Sequence, residues 1–223
     1  MRYSFLLLLV SCLVFSQTIK FSGTLPIGMS DYAEKVLDES RQNVYYKTTF
    51  IKNPKNPKAT ETITLLRIGE KFSRFSDANA VKYDSLMQVY VKEGKVDAKG
   101  MTSLMALKAK WQGVLVKNLK DNKVITQKKI KENFQYEEPQ PTISWKIGSE
   151  TKNIIGYACR KAVGEYRGRK YTAWYAVDLP INNGPYIFQN LPGLVMELED
   201  ADGHYHFEAM AINQVPEKIY MED

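Results

Sequence analysis

The sequence predicts a mainly β protein, a large curled antiparallel sheet of the open-barrel or half-barrel kind, with one or two short helices. Three observations predict it. Apolar and polar residues alternate with period two in at least eight segments, turn-forming clusters separate those segments, and helical spacing is confined to one region between Asp77 and Ala109. About 200 residues rich in Val, Ile, Leu, Tyr, Phe and Trp can bury a core without disulfides, so a single β-rich domain over 18–223 is the economical organisation.

The first strand runs from Gln42 to Ile51, with Val44, Tyr46, Thr48 and Phe50 on one face and Tyr45, Lys47 and Thr49 on the other. The Asn53-Pro54-Lys55-Asn56-Pro57 cluster ends it. Thr60 to Ile68 returns, Gly69-Glu70 turns, and Lys71 to Ser76 makes a third strand of a meander. Met87, Val89, Met101, Leu104, Met105 and Leu107 then give the partial helical spacing. From Trp111 the alternation resumes to Asn118, Lys120-Asp121-Asn122 turns, and Lys123 to Ile130 pairs back. Phe134 to Ser144, with Pro139 and Pro141, reads as a connecting loop. Ile154 to Val163, Lys170 to Val177, Leu194 to Glu199 and Tyr205 to Ile212 are further strands, and Val215 to Asp223 is a polar tail.

The first residues carry an address. Arg2 precedes the apolar run Phe5 to Phe15, followed by Ser16 and Gln17, which is the layout of a secretory signal peptide over 1–17. Leu9-Val10-Ser11-Cys12 also mimics a lipoprotein cleavage box, although the apolar run continues past Cys12. No later stretch approaches the roughly 20 apolar residues of a membrane-spanning helix. The chain is therefore expected to be exported to the periplasm, the outer-membrane periphery or the extracellular space, without a membrane span. Loss of the signal leaves Cys159 as the only thiol, so no intramolecular disulfide forms. The formal charge of +6, much of it between Lys108 and Lys131 and between Arg160 and Lys170, reads as solvated strand faces more readily than as basic patches for anionic lipid headgroups, lipopolysaccharide phosphates or acidic glycans, and nucleic acid is not an expected partner at this address.

The run Gly184-Pro185-Tyr186-Ile187-Phe188-Gln189-Asn190-Leu191-Pro192-Gly193-Leu194-Val195-Met196-Glu197 sets turn formers and apolar residues in a particular order. Pro192 biases Leu191 to extended geometry, Gly193 is free to adopt angles closed to other residues, and a half-buried strand follows. Together with Ser144-Trp145-Lys146-Ile147, Gly156 to Ala162 and Gly168 to Tyr175, this run resembles the GLPGLI family, exported proteins of Gram-negative bacteria. Asn190 stands where the name-giving motif has its first Gly, and Val195 where it has Ile. Asn tolerates left-handed backbone angles, so the corner survives the first change. The resemblance implies an envelope protein and supplies no catalytic residue.

Candidate chemistry is sparse. Cys159 lies beside Arg160 and Lys161, cations that would lower a thiol's pKa, and His204 or His206 would have to approach it to make a nucleophilic pair. The competing account is a small apolar filler. His204 and His206 are separated by one residue, about 7 Å along a strand, and could share a metal with Asp200, Asp202 or Glu208, but two imidazoles alone are too few ligands. There is no phosphate loop, nucleophile elbow or zinc-protease pattern, and no cofactor is expected. Aromatic residues around the corner make better ligand-binding candidates: Trp174, Tyr186 and Phe188, with Leu191, Pro192 and Gly193 shaping a rim. The functional expectation is a non-enzymatic envelope protein holding a lipid or other apolar ligand, or an outer-membrane or envelope protein partner, on the curled sheet. A hydrolase using Cys159 or a His-bound metal is one alternative, and a structural docking component of an outer-membrane assembly is the other.

Overall fold

The computed structural model describes residues 23–26, 34–129 and 133–222. The expected signal peptide and Cys12 lie outside them. In chain order the elements are β1 (Thr24–Pro26), β2 (Glu34–Glu39), β3 (Gln42–Ile51), β4 (Ala59–Ile68), β5 (Phe72–Asp77), α1 (Ala78–Glu93), β6 (Lys95–Asp97) and α2 (Ala98–Ala106). There follow β7 (Val114–Asn118), β8 (Lys123–Lys129), β9 (Asn133–Pro139), β10 (Trp145–Ile154), β11 (Tyr157–Tyr166), β12 (Arg169–Ala176), β13 (Leu194–Asp200), β14 (Tyr205–Asn213) and β15 (Lys218–Glu222). Eleven of the strands form one antiparallel sheet in the order β10-β11-β12-β13-β14-β3-β4-β5-β7-β8-β9. The expected fold class is thus the observed one, with two helices beside a large open sheet.

The sheet is curled because its two edges are neighbours in sequence. β9 and β10 stand at opposite ends of the strand order, yet only residues 140–144 join them, a reach of about 20 Å at most. Arg167, in the β11–β12 turn, lies 3.8 Å from Glu138 of β9, so side chains meet across the seam. Strand residues that point inward build the core: Val44, Tyr46 and Phe50 of β3, Phe207 and Ala209 of β14, and Tyr171, Ala173 and Tyr175 of β12 are all buried.

On the outer side, α1 packs Ala78 and Val81 against Leu65, and the β2–β15 ribbon brings Met221 onto Val116 and Ile125. α1 starts on Asp77, whose extended backbone and side chain cap it, and stops at Gly94, whose φ of 70° is left-handed. Among the described residues no helix is long and apolar enough to cross a membrane.

Two expectations about elements are corrected, and one stretch left unassigned proves to be a strand. Residues 133–139 form a strand, not a loop, in register with β8 from Lys129↔Asn133 to Lys123↔Pro139. Pro139 is tolerated because it ends an edge strand, where no ladder hydrogen bond is lost. Residues 145–153 belong to β10, the other edge strand; a register shift between Ile147 and Thr151 breaks its alternation. The expected polar tail contains β15, whose Ile219, Tyr220 and Met221 are buried in succession: a bulge between the first two interrupts the alternation, Tyr220 reaches Asp84 of α1, and Met221 packs on Val116 and Ile125.

The 178–193 connection fills the space between the two sheet edges. Gln140 Nε2 donates to the Ile187 carbonyl (2.8 Å), Trp145 Nε1 to the Gln189 carbonyl (2.7 Å), and the Ile143 N–H to Asn190 Oδ1 (3.1 Å). Asn190 adopts φ 72°, the left-handed geometry that Asn accepts. Ile187, Phe188 and Leu191 are each at most 3% exposed, and each such burial stabilises the connection by roughly 1.5–3 kcal/mol. From the opposite wall, β7 sends the fully buried Lys117, whose Nζ lies 2.9 Å from Asn183 Oδ1, 3.1 Å from the Gly184 carbonyl and 3.5 Å from that of Phe188. Gly193 is required for a different reason from the one expected. Its φ is not left-handed, but a Cβ there would sit 2.0 Å from the Ala176 carbonyl oxygen.

Candidate functional site

The curl leaves an open cleft of about 500 Å³ at one end of the sheet. Phe50, Phe207 and Phe188 form its floor, and Trp111, Tyr166, Tyr171, Tyr186 and Tyr205 stand around it. Trp111 is the hub. Its ring meets Phe50, Phe75, Phe207 and Tyr186 edge-on at centroid distances of 5.2–5.7 Å.

Trp111 belongs to the segment before β7 and is placed by a residue far away in sequence. The buried Asp77 carboxylate accepts from the N–H groups of Lys110 and Trp111 (both 2.9 Å), from Thr62 Oγ1 (2.9 Å) and from the α1 residue Asn79 (2.8 Å). One side chain thus caps the helix and fixes the backbone that carries the indole.

The tyrosines combine an apolar ring with a polar tip. Burial raises the Tyr166 and Tyr186 hydroxyls above their ordinary range, and burial followed by the nearby Asp200 charge pushes Tyr171 up to about 12. All three remain neutral hydroxyls near neutral pH, able both to donate and to accept. Among the described residues none of these hydroxyls, nor that of Tyr205, is engaged by a protein partner. Lys52, Lys110, Lys128, Arg167 and Arg169 surround the aromatic ring of the cleft. Such a surface suits a flat polyhydroxylated ligand: C–H faces stack on the rings, and hydroxyls reach the polar tips.

The residues singled out from the sequence are dispersed. Tyr186 and Phe188 do line the cleft. Trp174 is on the outer face, with Lys152 4.5 Å and Lys161 5.9 Å from its ring centre. Leu191 is buried in the core, Gly193 lies under the Ala176 carbonyl, and Pro192 is exposed.

Cys159 makes no pair with a histidine. Burial, opposed by the Lys152 charge, pushes its thiol up to about 11, and Sγ donates to the Tyr157 carbonyl (3.4 Å). The expected cation effect of Arg160 and Lys161 is absent because Lys161 turns to Glu150 and Arg160 to the Gly148 carbonyl. With on the order of 0.1% thiolate at pH 8, native protein should resist iodoacetamide and be alkylated only in denaturant. Rapid native labelling followed by mass spectrometry would show that the thiol is accessible after all.

The two histidines are held apart by different partners. His206 Nε2 lies 3.3 Å from Glu197, which also binds Lys152; burial works to raise the Glu197 carboxyl, but the His206 and Lys152 hydrogen bonds outweigh it and hold it below its ordinary value. The Glu197 hydrogen bond in turn raises the His206 imidazole. His204 precedes β14 and converges with Asp200 and Asp202, their ligand atoms within 4.8 Å of one another. A cation already sits among them. Arg169 Nη1 is 2.8 Å from both Asp200 Oδ2 and His204 Nδ1, and Asp200 Oδ1 accepts the Tyr205 N–H (2.7 Å). Arg169 thus stands where a shared metal ion would sit, and the turn places Arg169 and Tyr205 beside the cleft.

Sequence reasoning did not single out Trp111, Tyr205 or Lys52; it counted Lys110, Lys128, Arg167 and Arg169 among the basic residues but read them as solvated strand faces. The alternation read from Trp111 placed it at the start of a strand, whereas it lies in an irregular segment before β7; the one local signal is a Trp set among Lys108, Lys110 and Gln112.

Comparisons with known proteins give a direction. A family model described as N-glycanase peptide, N-terminal domain, matches residues 114–222. Two solved structures of PNGF-II, in space groups P21 and C2, are similar to 80% of this chain at 19% identity, with TM-scores of 0.53 and 0.54. The matches cover 29% and 28% of those chains, so this chain spans less than a third of their length. No curated protein matches its sequence. The family match contains the whole Trp145 to Asp200 region on which the GLPGLI resemblance rests, and it overturns that assignment. It also overturns the expected non-enzymatic carrier or docking protein, and the cleft agrees, being polar-tipped and cationic at its rim where an apolar ligand would need a closed apolar cavity.

Proposed function

We propose that the chain is an exported glycan-recognising domain of the N-glycanase N-terminal type, and that the aromatic cleft holds the sugar. The observation that carries this reading is the cleft itself, an open surface where Trp111 and four tyrosines with uncommitted hydroxyls stand together above a phenylalanine floor. Stacking supplies affinity without demanding one sequence of sugars, and the hydroxyls supply orientation. The match to an N-glycanase N-terminal domain supports the ligand class, and the likeness to PNGF-II supports the fold.

The test is calorimetric titration of the chain with free N-glycans and with a glycosylated peptide. Binding is expected, with Tyr166→Ala weakening it about five- to tenfold and leaving the unfolding temperature nearly unchanged, because Tyr166 is only partly buried. The reading is overturned if the wild-type chain binds no glycan, or if Tyr166→Ala binds as tightly as wild type.

A further inference from the structure

The charges around the cleft are one-sided. Lys52, Lys110, Lys128, Arg167 and Arg169 line it, and no Asp or Glu does. Two of the five have carboxylate partners behind them. Arg169 donates to Asp200 at 2.8 Å, and Arg167 is 3.8 Å from Glu138 while its guanidinium stacks 5.2 Å from the centre of the Tyr166 ring. The other three are uncompensated. Lys110 Nζ donates to the Glu61 carbonyl, a neutral acceptor, and Lys52 and Lys128 have no carboxylate within ion-pair distance among the described residues. Lys52 instead lies 5.7 Å over the Phe50 ring that forms part of the floor.

Resting on the glycan reading above, we infer that the cleft selects acidic glycans, those in which a carboxylate or sulfate ester accompanies the sugar ring. Aromatic faces would take the ring while Lys52 and Lys128 meet the anion at the mouth. Lysines gathered at an open mouth repel one another, and an anion relieves that repulsion. Each solvent-exposed ion pair contributes little, so selectivity comes from two or three acting together, and salt screens it.

The experiment is calorimetric titration with a sialylated N-glycan, a sulfated counterpart and the same glycan stripped of charge, at low and high salt. At least one charged form is expected to bind roughly tenfold more tightly than the neutral one at low salt, with the ratio shrinking at high salt. Which charged form binds identifies the anion. The double variant Lys52→Glu, Lys128→Glu, checked by its unfolding temperature, is expected to bring the ratio close to one. Equal affinities for charged and neutral glycans in the wild type, or a ratio that persists in the variant, overturn the charge selectivity and leave the glycan reading standing. No binding of any glycan overturns both. A single-stranded oligonucleotide that binds more tightly than every glycan overturns the ligand class.

Discussion

Gly193→Ala should lower the unfolding temperature by roughly 6–12 °C, the consequence of a loss of about 3 kcal/mol or more in a domain of this size. The added methyl would stand 2.0 Å from the Ala176 carbonyl oxygen, and that atom belongs to a strand backbone in mid-sheet. Rotating a side chain cannot relieve the contact. Either the β12–β13 ladder opens at Ala176↔Leu194, or the 178–193 connection lifts off the core. Thermal unfolding followed by circular dichroism measures the effect. A shift of less than about 2 °C, under 1 kcal/mol on the same scale, would mean that the approach of Gly193 to the strand is not a constraint on the fold.

Lys117→Ala is expected to cost about 3 kcal/mol, because it empties the space of a fully buried stem and strands the acceptors on Asn183 and Gly184. Lys117→Met keeps the stem and loses only the hydrogen bonds, so its cost should be about half as large. The pair also reveals a pH signature. Burial lowers the folded-state Lys117 ammonium to about 7, while the unfolded chain retains an ordinary lysine. Between those two values the unfolded state binds the extra proton, so this group makes stability rise with pH, and the gain is lost as pH falls through the folded value. His206 works in the opposite sense. Its raised folded value adds stability below the ordinary imidazole range and loses it as pH rises, but it is common to both proteins and cancels in a comparison. Chemical denaturation from about pH 6.5 to about pH 9.5 should therefore widen the stability gap between wild type and Lys117→Met. A gap that stays constant or narrows would show that the ammonium keeps its charge throughout, sustained by its three carbonyl acceptors.

The central strands were legible in the sequence because each buries one face. β3 alternates Val44, Tyr46, Thr48 and Phe50 with residues open to the other side, and β12 and β14 do the same. Edge strands bury neither face consistently, so Asn133–Pro139 and Trp145–Ile154 lack that signature. β15 escaped because a bulge interrupts its alternation and both of its sides are covered, leaving three consecutive residues buried. Alternation placed Trp174 opposite its neighbours Ala173 and Tyr175, but it does not say which face is hollow, and the hollow face belongs to Tyr171 and Tyr175. The cleft depended most on a contact that local pattern does not encode, the Asp77 carboxylate holding the Trp111 backbone 34 positions away. The corner at Asn190 and Gly193 was recognisable, yet such a corner follows wherever a connection must turn tightly beneath a sheet, so its sequence alone was a poor guide to family.

The position of β14 between β13 and β3 has a kinetic consequence. Within the large sheet the strands from β3 to β9 and those from β10 to β14 are joined by one ladder, which pairs Tyr205 with Phe50 and Asn213 with Asn43, more than 150 positions apart. Local hairpins can assemble in either half as soon as their residues are available, but joining the halves must wait for β14, the last in chain order of the eleven strands in this sheet. The loop to be closed is long and the contacts that reward closure come late, which places such a sheet among slow folders, on the order of milliseconds to seconds. Until then β3 and β13 each present an unpaired edge of the kind that recruits other chains. β14 thus decides not only whether the two halves of the sheet join but how long their open edges are exposed to one another's copies.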